Sequence, residues 1–196
     1  MEQSTLSAGD ETATRIDPLV QARISKIDSL RNLGIDPYPA RFNRTATTTE
    51  ARARIERLES RSRKQQGQLR TRALTVAGRI MGLRSMGKAA FADMQDGEGR
   101  IQLHLRADRL GANYSLVDLL DLGDFVGARG PVFRTRRGEI SIEAKELTVL
   151  AKAVRPMPDK WSGLQDTEKR YRQRYLDLIS SERSMEVAKK RAAIIR

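Results

Sequence analysis

The 196-residue chain has no cysteine, a single histidine (His104) and only 5% aromatic residues. The absence of cysteine excludes disulfides, thiolate zinc sites and cysteine nucleophiles together. One histidine rules out a His-rich metal cluster and leaves little room for a catalytic triad. No apolar run approaches the length needed to cross a bilayer. The N-terminal MEQSTLSAGDETATRID lacks the apolar core of a signal peptide and is not a basic, acid-poor transit peptide. Hydrophobic residues make up 39% of the chain, so the core must be modest. The expectation is a cytoplasmic protein with no membrane partner.

One sign of charge is in excess. Lys and Arg number 37 against 25 Asp and Glu, a formal net charge of +12, and the isoelectric point is near 10.5. That balance suits nucleic acid or another anionic surface better than a small-molecule substrate. Arginine outnumbers lysine about three to one, which favours stacking and forked phosphate contacts.

Organisation follows from periodicity. Residues 1–16 are polar and patternless and read as a disordered tail. A helical extension is expected over 17–70. Asp17-Pro18 opens a helix whose apolar residues Val20, Ile24, Ile27 and Leu30 recur at three- and four-residue spacing, and Gly34 closes it. A second helix, from Thr47 to Gln66, carries basic side chains on most of its circumference. That run is a solvated face or a phosphate-contacting one. From Leu74 the pattern alternates. LTVAGRIMGLR, AAFADMQD and RIQLHLR read as strands, residues 114–123 as a helix, and DFVGARGPVFRTR and EISIEAKELTVL as two further strands. Five strands with one helix between the third and fourth predict a mainly β fold, an OB-fold barrel over 71–150. Residues 151–165 read as a linker, and Asp166 caps a helix beginning a further segment, 166–196, that stops in mid-pattern.

Gly82-LRSM-Gly87-Lys88-Ala89 nearly matches a phosphate-binding P-loop. It lacks the final Ser or Thr hydroxyl, and a strand follows where a helix is needed, so a glycine-rich hairpin is expected instead. The alternation of the strands is more informative. Ile101, Leu103 and Leu105 face the core, which turns Arg100, Gln102 and His104 outward. By the same alternation Phe91 lies among polar residues on the outer face, where a ring can be a packed rim residue or a platform for a base. Gln102 could read base edges, and Arg79, Arg84, Arg100 and Arg129 could contact phosphates or stack. Glu139, in the basic setting of Arg134, Arg136 and Arg137, either balances charge or accepts from a base amino or imino group. His104 reads as a surface histidine. Nothing offers a nucleophile, an activated acid–base pair or a metal site.

The stretch VAGRIMGLRSMGKAAFADMQDGEGRIQLHL and the later RPMPDK, GLQD and RYRQRYLDLI segments closely resemble bacterial-type class II lysyl-tRNA synthetases. LRNLGIDPYPARF resembles that family's N-terminal entry, and the likeness covers nearly all of residues 17–196. The resemblance implies a barrel that grips the uridine-rich anticodon loop of a lysine tRNA. It implies stacking by Phe91, base reading by Gln102, recognition of the central uridine by Glu139, and Arg84 beside the anticodon. It also implies that residues 166–196 begin a catalytic domain, whose ATP, magnesium and lysine motifs lie beyond this chain. The fragment itself then needs no cofactor and should be inactive, while the complete enzyme would be a homodimer. Two rivals remain at this point: a single-strand binder without base choice, and a protein-interaction module.

Overall fold

A computed structural model describes residues 17–62, 69–158 and 164–196. The expected tail and the end of the second helix beyond Ser62 lie outside them, as does part of the 151–165 linker. Helix α1 (Pro18–Asn32) starts where Asp17 accepts from the Leu19 amide, and Gly34 follows it at φ 73°. Helix α2 (Thr48–Arg61) opens on a capping box between Thr47 and Glu50.

The sheet comprises β1 (Leu74–Met86), β2 (Ala89–Gln95), β3 (Arg100–Arg106), β4 (Phe125–Gly130), β5 (Val132–Arg134), β6 (Ile140–Glu143) and β7 (Glu146–Ala151). Its order is β5-β6-β3-β2-β1-β4-β7. Short helices α3 (Ala107–Leu110) and α4 (Leu116–Leu119), joined by a 3-10 turn, fill the interval between β3 and β4. Residues 114–123 therefore hold only part of the helical structure expected there.

The expected closed five-stranded barrel is corrected to a seven-stranded open sheet. Each of the last two expected strands is broken in the middle. Pro131, between β4 and β5, has no N–H to continue the ladder. Opposite it, the chain between β6 and β7 redirects its amides: Ala144 N donates to the His104 carbonyl at 3.1 Å and Lys145 N to the Arg129 carbonyl at 2.8 Å. The backbones press together at this bend, where a Cβ on Gly130 would stand 1.9 Å from the Glu143 carbonyl oxygen. β6 then pairs with β3 in parallel and with β5 antiparallel, while β4 pairs with β1 and β7.

Alternate residues of the strands, among them Val76, Ile80, Ala92, Met94, Leu103, Val126 and Ile142, form one buried core. Ala51 and Ile55 of α2 and Leu116 and Val117 of α4 join it. Burying each large aliphatic side chain contributes about 1.5–3 kcal/mol. Among the described residues no helix is long and apolar enough to cross a membrane.

Two polar devices fix the fold. In the β2–β3 turn, the Asp96 carboxylate accepts from Thr48 N (2.8 Å), Thr48 Oγ1 (2.7 Å), Glu98 N and Gly99 N (both 2.9 Å). It closes the turn and caps α2 at the same time. Below β7, the fully buried Lys152 ammonium meets the equally buried Asp124 carboxylate at 2.5 Å and Asp121 at 2.7 Å. Lys26 of α1 reaches Asp121 at 2.8 Å. Arg23 donates to the Ala153 carbonyl at 2.7 Å, so α1 is tied to the chain leaving the sheet. Segments α5 (Thr167–Arg172), α6 (Arg174–Ser180) and α7 (Glu182–Ile195) follow, with α5 parted from α6 at Gln173 (φ −108°, ψ 54°).

Asp96→Ala should lower stability by about 1–2 kcal/mol, because it removes a helix cap and charge-assisted bonds at a partly solvated site. Burial pushes the Asp96 carboxyl up, but the bonds from Thr48, Glu98 and Gly99 outweigh it and hold it below its usual value. Its stabilising contribution is therefore complete above about pH 4 and is lost as pH falls through the lower folded value. Thermal melts from pH 7 to 2.5 should show a shallower acid limb for Asp96→Ala than for the unaltered chain. Lys152→Ala strands the buried Asp124 carboxylate and leaves the half-buried Asp121 with Lys26 alone, and should cost about 3–5 kcal/mol in urea titrations.

Candidate nucleic-acid interface

Because Ala90, Ala92 and Met94 of β2 and Ile101, Leu103 and Leu105 of β3 are buried, their neighbours Phe91, Asp93, Arg100, Gln102 and His104 stand on the outer face. The ladder sets them side by side. Phe91 lies opposite His104, and Asp93 opposite Gln102. On β1, Arg84 lies opposite Phe91 and Gly82 opposite Asp93, beyond a bulge at Ile80–Gly82. β6 adds Ser141 opposite Gln102 and Glu143 opposite His104.

Arg84, Gln102, Glu139 and Arg100 all line one open groove of about 1130 Å³ between this face and helices α6 and α7. Phe91 is not among the residues that line it, and lies opposite Arg84 on the ladder. Gln102 Oε1 accepts from Ser141 Oγ at 2.9 Å, so its NH2 is the group left for a ligand. Arg84 contacts Asp93 at 3.4 Å. Glu139, beside the Gly138 turn, donates its amide to Thr135 Oγ1 at 3.1 Å, and its carboxylate is 3.9 Å from Arg52 of α2. Arg134 is gripped by Glu59 at 2.9 Å, with Glu139 acting on it through space as a lesser charge.

The three supporting arginines divide. Arg100 is in the groove, donating to Gln95 Oε1 at 2.8 Å and Glu182 at 3.2 Å. Arg79 is folded onto the Phe125 ring, 4.2 Å from its centroid, and donates to the Gly123 carbonyl at 3.1 Å. Arg129 pairs with Glu146 and sits opposite Thr75, toward the other end of β1 from Arg84. Arg79 is thus held against Phe125, and neither it nor Arg129 is among the residues that line the groove.

His104 departs from the expected surface histidine. Its ring lies parallel to that of Phe91, 4.7 Å between centroids and 2° between planes. On another side it meets Phe133 at 5.9 Å. Its Nδ1 is buried without a hydrogen-bond partner among the described residues. Burial lowers the imidazole pKa, and so do Arg106 and Arg70, against the opposing pull of Glu143 and Asp108. These influences favour the neutral imidazole. Beyond Phe133, Arg70 stacks on that ring at 4.6 Å and reaches the buried Glu143 carboxylate at 3.3 Å, which Arg109 approaches at 3.7 Å. Phe133, Arg70 and Glu143 were not singled out in the sequence. The Asp96–Gly99 turn signals only the pairing of Phe91 with His104; Phe133, Arg70 and Glu143 arrive through tertiary pairings.

The P-loop-like segment is the β1–β2 hairpin, with Gly87 at φ 61°. Among the described residues no group of three or more His, Asp or Glu side chains is placed to hold a metal ion.

Comparison with known proteins shows what the chain is similar to. Residues 74–150 match the tRNA anti-codon family, an OB-fold nucleic acid binding domain. The chain is 48% identical over 179 residues to a lysine–tRNA ligase of Moorella thermoacetica, an alignment covering 91% of this chain and 34% of the relative. Lysine–tRNA ligases of Pelotomaculum thermopropionicum and Staphylococcus epidermidis are each 43% identical, covering 92% and 90% of this chain and 34% and 35% of theirs. The chain thus spans about a third of the length of these relatives. Residues 74–150 thus match an OB-fold nucleic acid binding domain, in a chain similar over most of its length to lysine–tRNA ligases.

Proposed function

We propose that this chain is the anticodon-reading part of a lysine–tRNA ligase and binds the uridine-rich anticodon loop of a lysine tRNA. The observation that carries this reading is that Phe91, Arg84 and Gln102 share one outer face and that Arg84, Gln102 and Glu139 line one groove, within the segment that matches the OB-fold domain. Phe91 offers a flat ring to a flipped base, worth about 1–3 kcal/mol per stacked base. The Gln102 NH2 donates and the Glu139 carboxylate accepts. Uracil presents carbonyl oxygens and one imino N–H, so a donor and an acceptor fit its edge. Cytosine offers an acceptor where uracil has that N–H, and it would leave Glu139 facing a lone pair. Arg84 and Arg100 supply charge for the backbone.

The activation of lysine with ATP and magnesium and its transfer to tRNA would belong to the complete ligase, a homodimer working in the cytoplasm. This chain supplies recognition. Its contribution to catalysis is to hold one end of the tRNA in register.

The test is binding of the chain to a lysine-anticodon stem-loop with loop bases UUU. The control is the same stem with those three bases changed, at one fixed near-physiological salt. The expected result is preference for UUU, with Phe91→Ala costing about 1–3 kcal/mol and Glu139→Ala erasing the preference. Equal binding to both loops would reduce the domain to a non-selective single-strand binder. Raising salt should weaken both complexes along similar slopes, because phosphate contacts are blind to sequence.

A further inference from the structure

Resting on the reading of Phe91 as a base platform, we propose that His104 is the positioning residue for that platform. It would hold the Phe91 ring upright as the middle member of a stack running from Phe91 through His104 and Phe133 to Arg70. An isolated phenylalanine on an outer sheet face can rotate and lie flat against its neighbours. Here the ring is parallel to His104 within 2° at 4.7 Å, and His104 in turn bears on Phe133 at 5.9 Å. Phe133 is only 8% exposed, and the far end of the row is anchored by Arg70 over its ring and by the buried Glu143 that Arg70 contacts. The direction of support is defined by the ladder. His104 occupies the β3 side of Phe91, so the side left for a base faces β1, where Arg84 stands opposite. A base entering there would lie between the Phe91 ring and the Arg84 guanidinium, a sandwich both groups favour.

The orphaned Nδ1 of His104 supports a role for the flat ring over one for its nitrogens. A buried polar atom without a partner is unfavourable, and Nδ1 makes no contact that would explain a histidine. What the position uses is a planar face of the right width, which phenylalanine also has.

The experiment uses a UUU stem-loop with a fluorescent uridine analogue, quenched by stacking, at the central loop position. The chain is compared with His104→Ala, His104→Leu, His104→Phe and Phe91→Ala. His104→Leu fills the space without a flat face and guards against simple loss of fold, which circular dichroism checks. His104→Ala and His104→Leu should weaken binding about five- to tenfold, a fraction of one stacked base. At saturating protein they should also leave the analogue as bright as Phe91→Ala does. His104→Phe should restore both affinity and quenching. A folded His104→Leu that binds and quenches like the unaltered chain, while Phe91→Ala loses both, would overturn the proposal and leave the platform reading intact. Indifference to Phe91→Ala would sink the platform reading itself, and this inference with it.

Discussion

The outer face of this sheet depends on the register of β2 against β3, and that register depends on one carboxylate. Asp96 collects four donors from its own turn and from the first residue of α2. It closes the turn so that Gln95 falls opposite Arg100. Every pair beyond it follows by alternation, including Asp93 with Gln102 and Phe91 with His104. A slip of one residue would exchange the faces of the whole strand, sending Ala90, Ala92 and Met94 outward and Phe91 into the core. The same carboxylate binds the helical extension to the sheet through Thr48. Placement of α2 and presentation of the binding face are therefore one constraint.

A second polar cluster acts on the other side of β1, where Arg79 pairs with Gln95 toward Asp96 and with Phe125 toward Asp124. Lys152, Asp124 and Asp121 are joined under β7, and Lys26 reaches them from α1. A buried ion group seldom adds net stability over a well-packed apolar one. What it adds here is geometry, because the Lys152 ammonium also donates to the Leu119 carbonyl at 2.6 Å and Asp124 accepts from the Ala153 amide at 2.8 Å. The end of α4, the entry to β4 and the exit from β7 are thereby held at fixed separations. Asp96 ties α2 to the sheet, and this cluster ties α1.

Much of the fold was legible in the residues because it rests on period and on local chemistry. The alternation of β2 and β3 told which residues face out, and Asp17, Pro18 and Gly34 marked both ends of α1. The broken strands were not legible in periodicity, since alternation runs almost without interruption through Pro131 and Ala144. Only the missing N–H of Pro131 and the close backbone approach at Gly130 signal the break, and the second of these is a tertiary fact. The same limit explains the arginines. Arg79, Arg100 and Arg129 look alike in sequence, yet one is spent on the Phe125 ring, one lines the groove and one pairs away from it. His104 looked like a surface residue because a lone histidine gives no sign of the rings on either side of it.

The large positive charge does not make every arginine available to a nucleic acid. Arg134 grips Glu59 with both side chains mostly covered, 21% and 12% exposed. Removing that carboxylate's partner would leave a nearly buried charge, so a phosphate cannot easily take its place. Arg84 and Asp93 are 61% and 39% exposed and stand 3.4 Å apart. Such a pair contributes about 0–1 kcal/mol, less than a stacked base and a charged phosphate contact together could return. Arg100 and Glu182, 53% and 85% exposed, fall in the same class. The weak pairs thus lie at the groove, while this tight one lies against α2, where it braces the helix that carries Arg52 toward Glu139. If the groove takes a nucleic acid as proposed, phosphates would have only these weak pairs to displace, and exchange of this kind would make affinity fall steeply as salt rises.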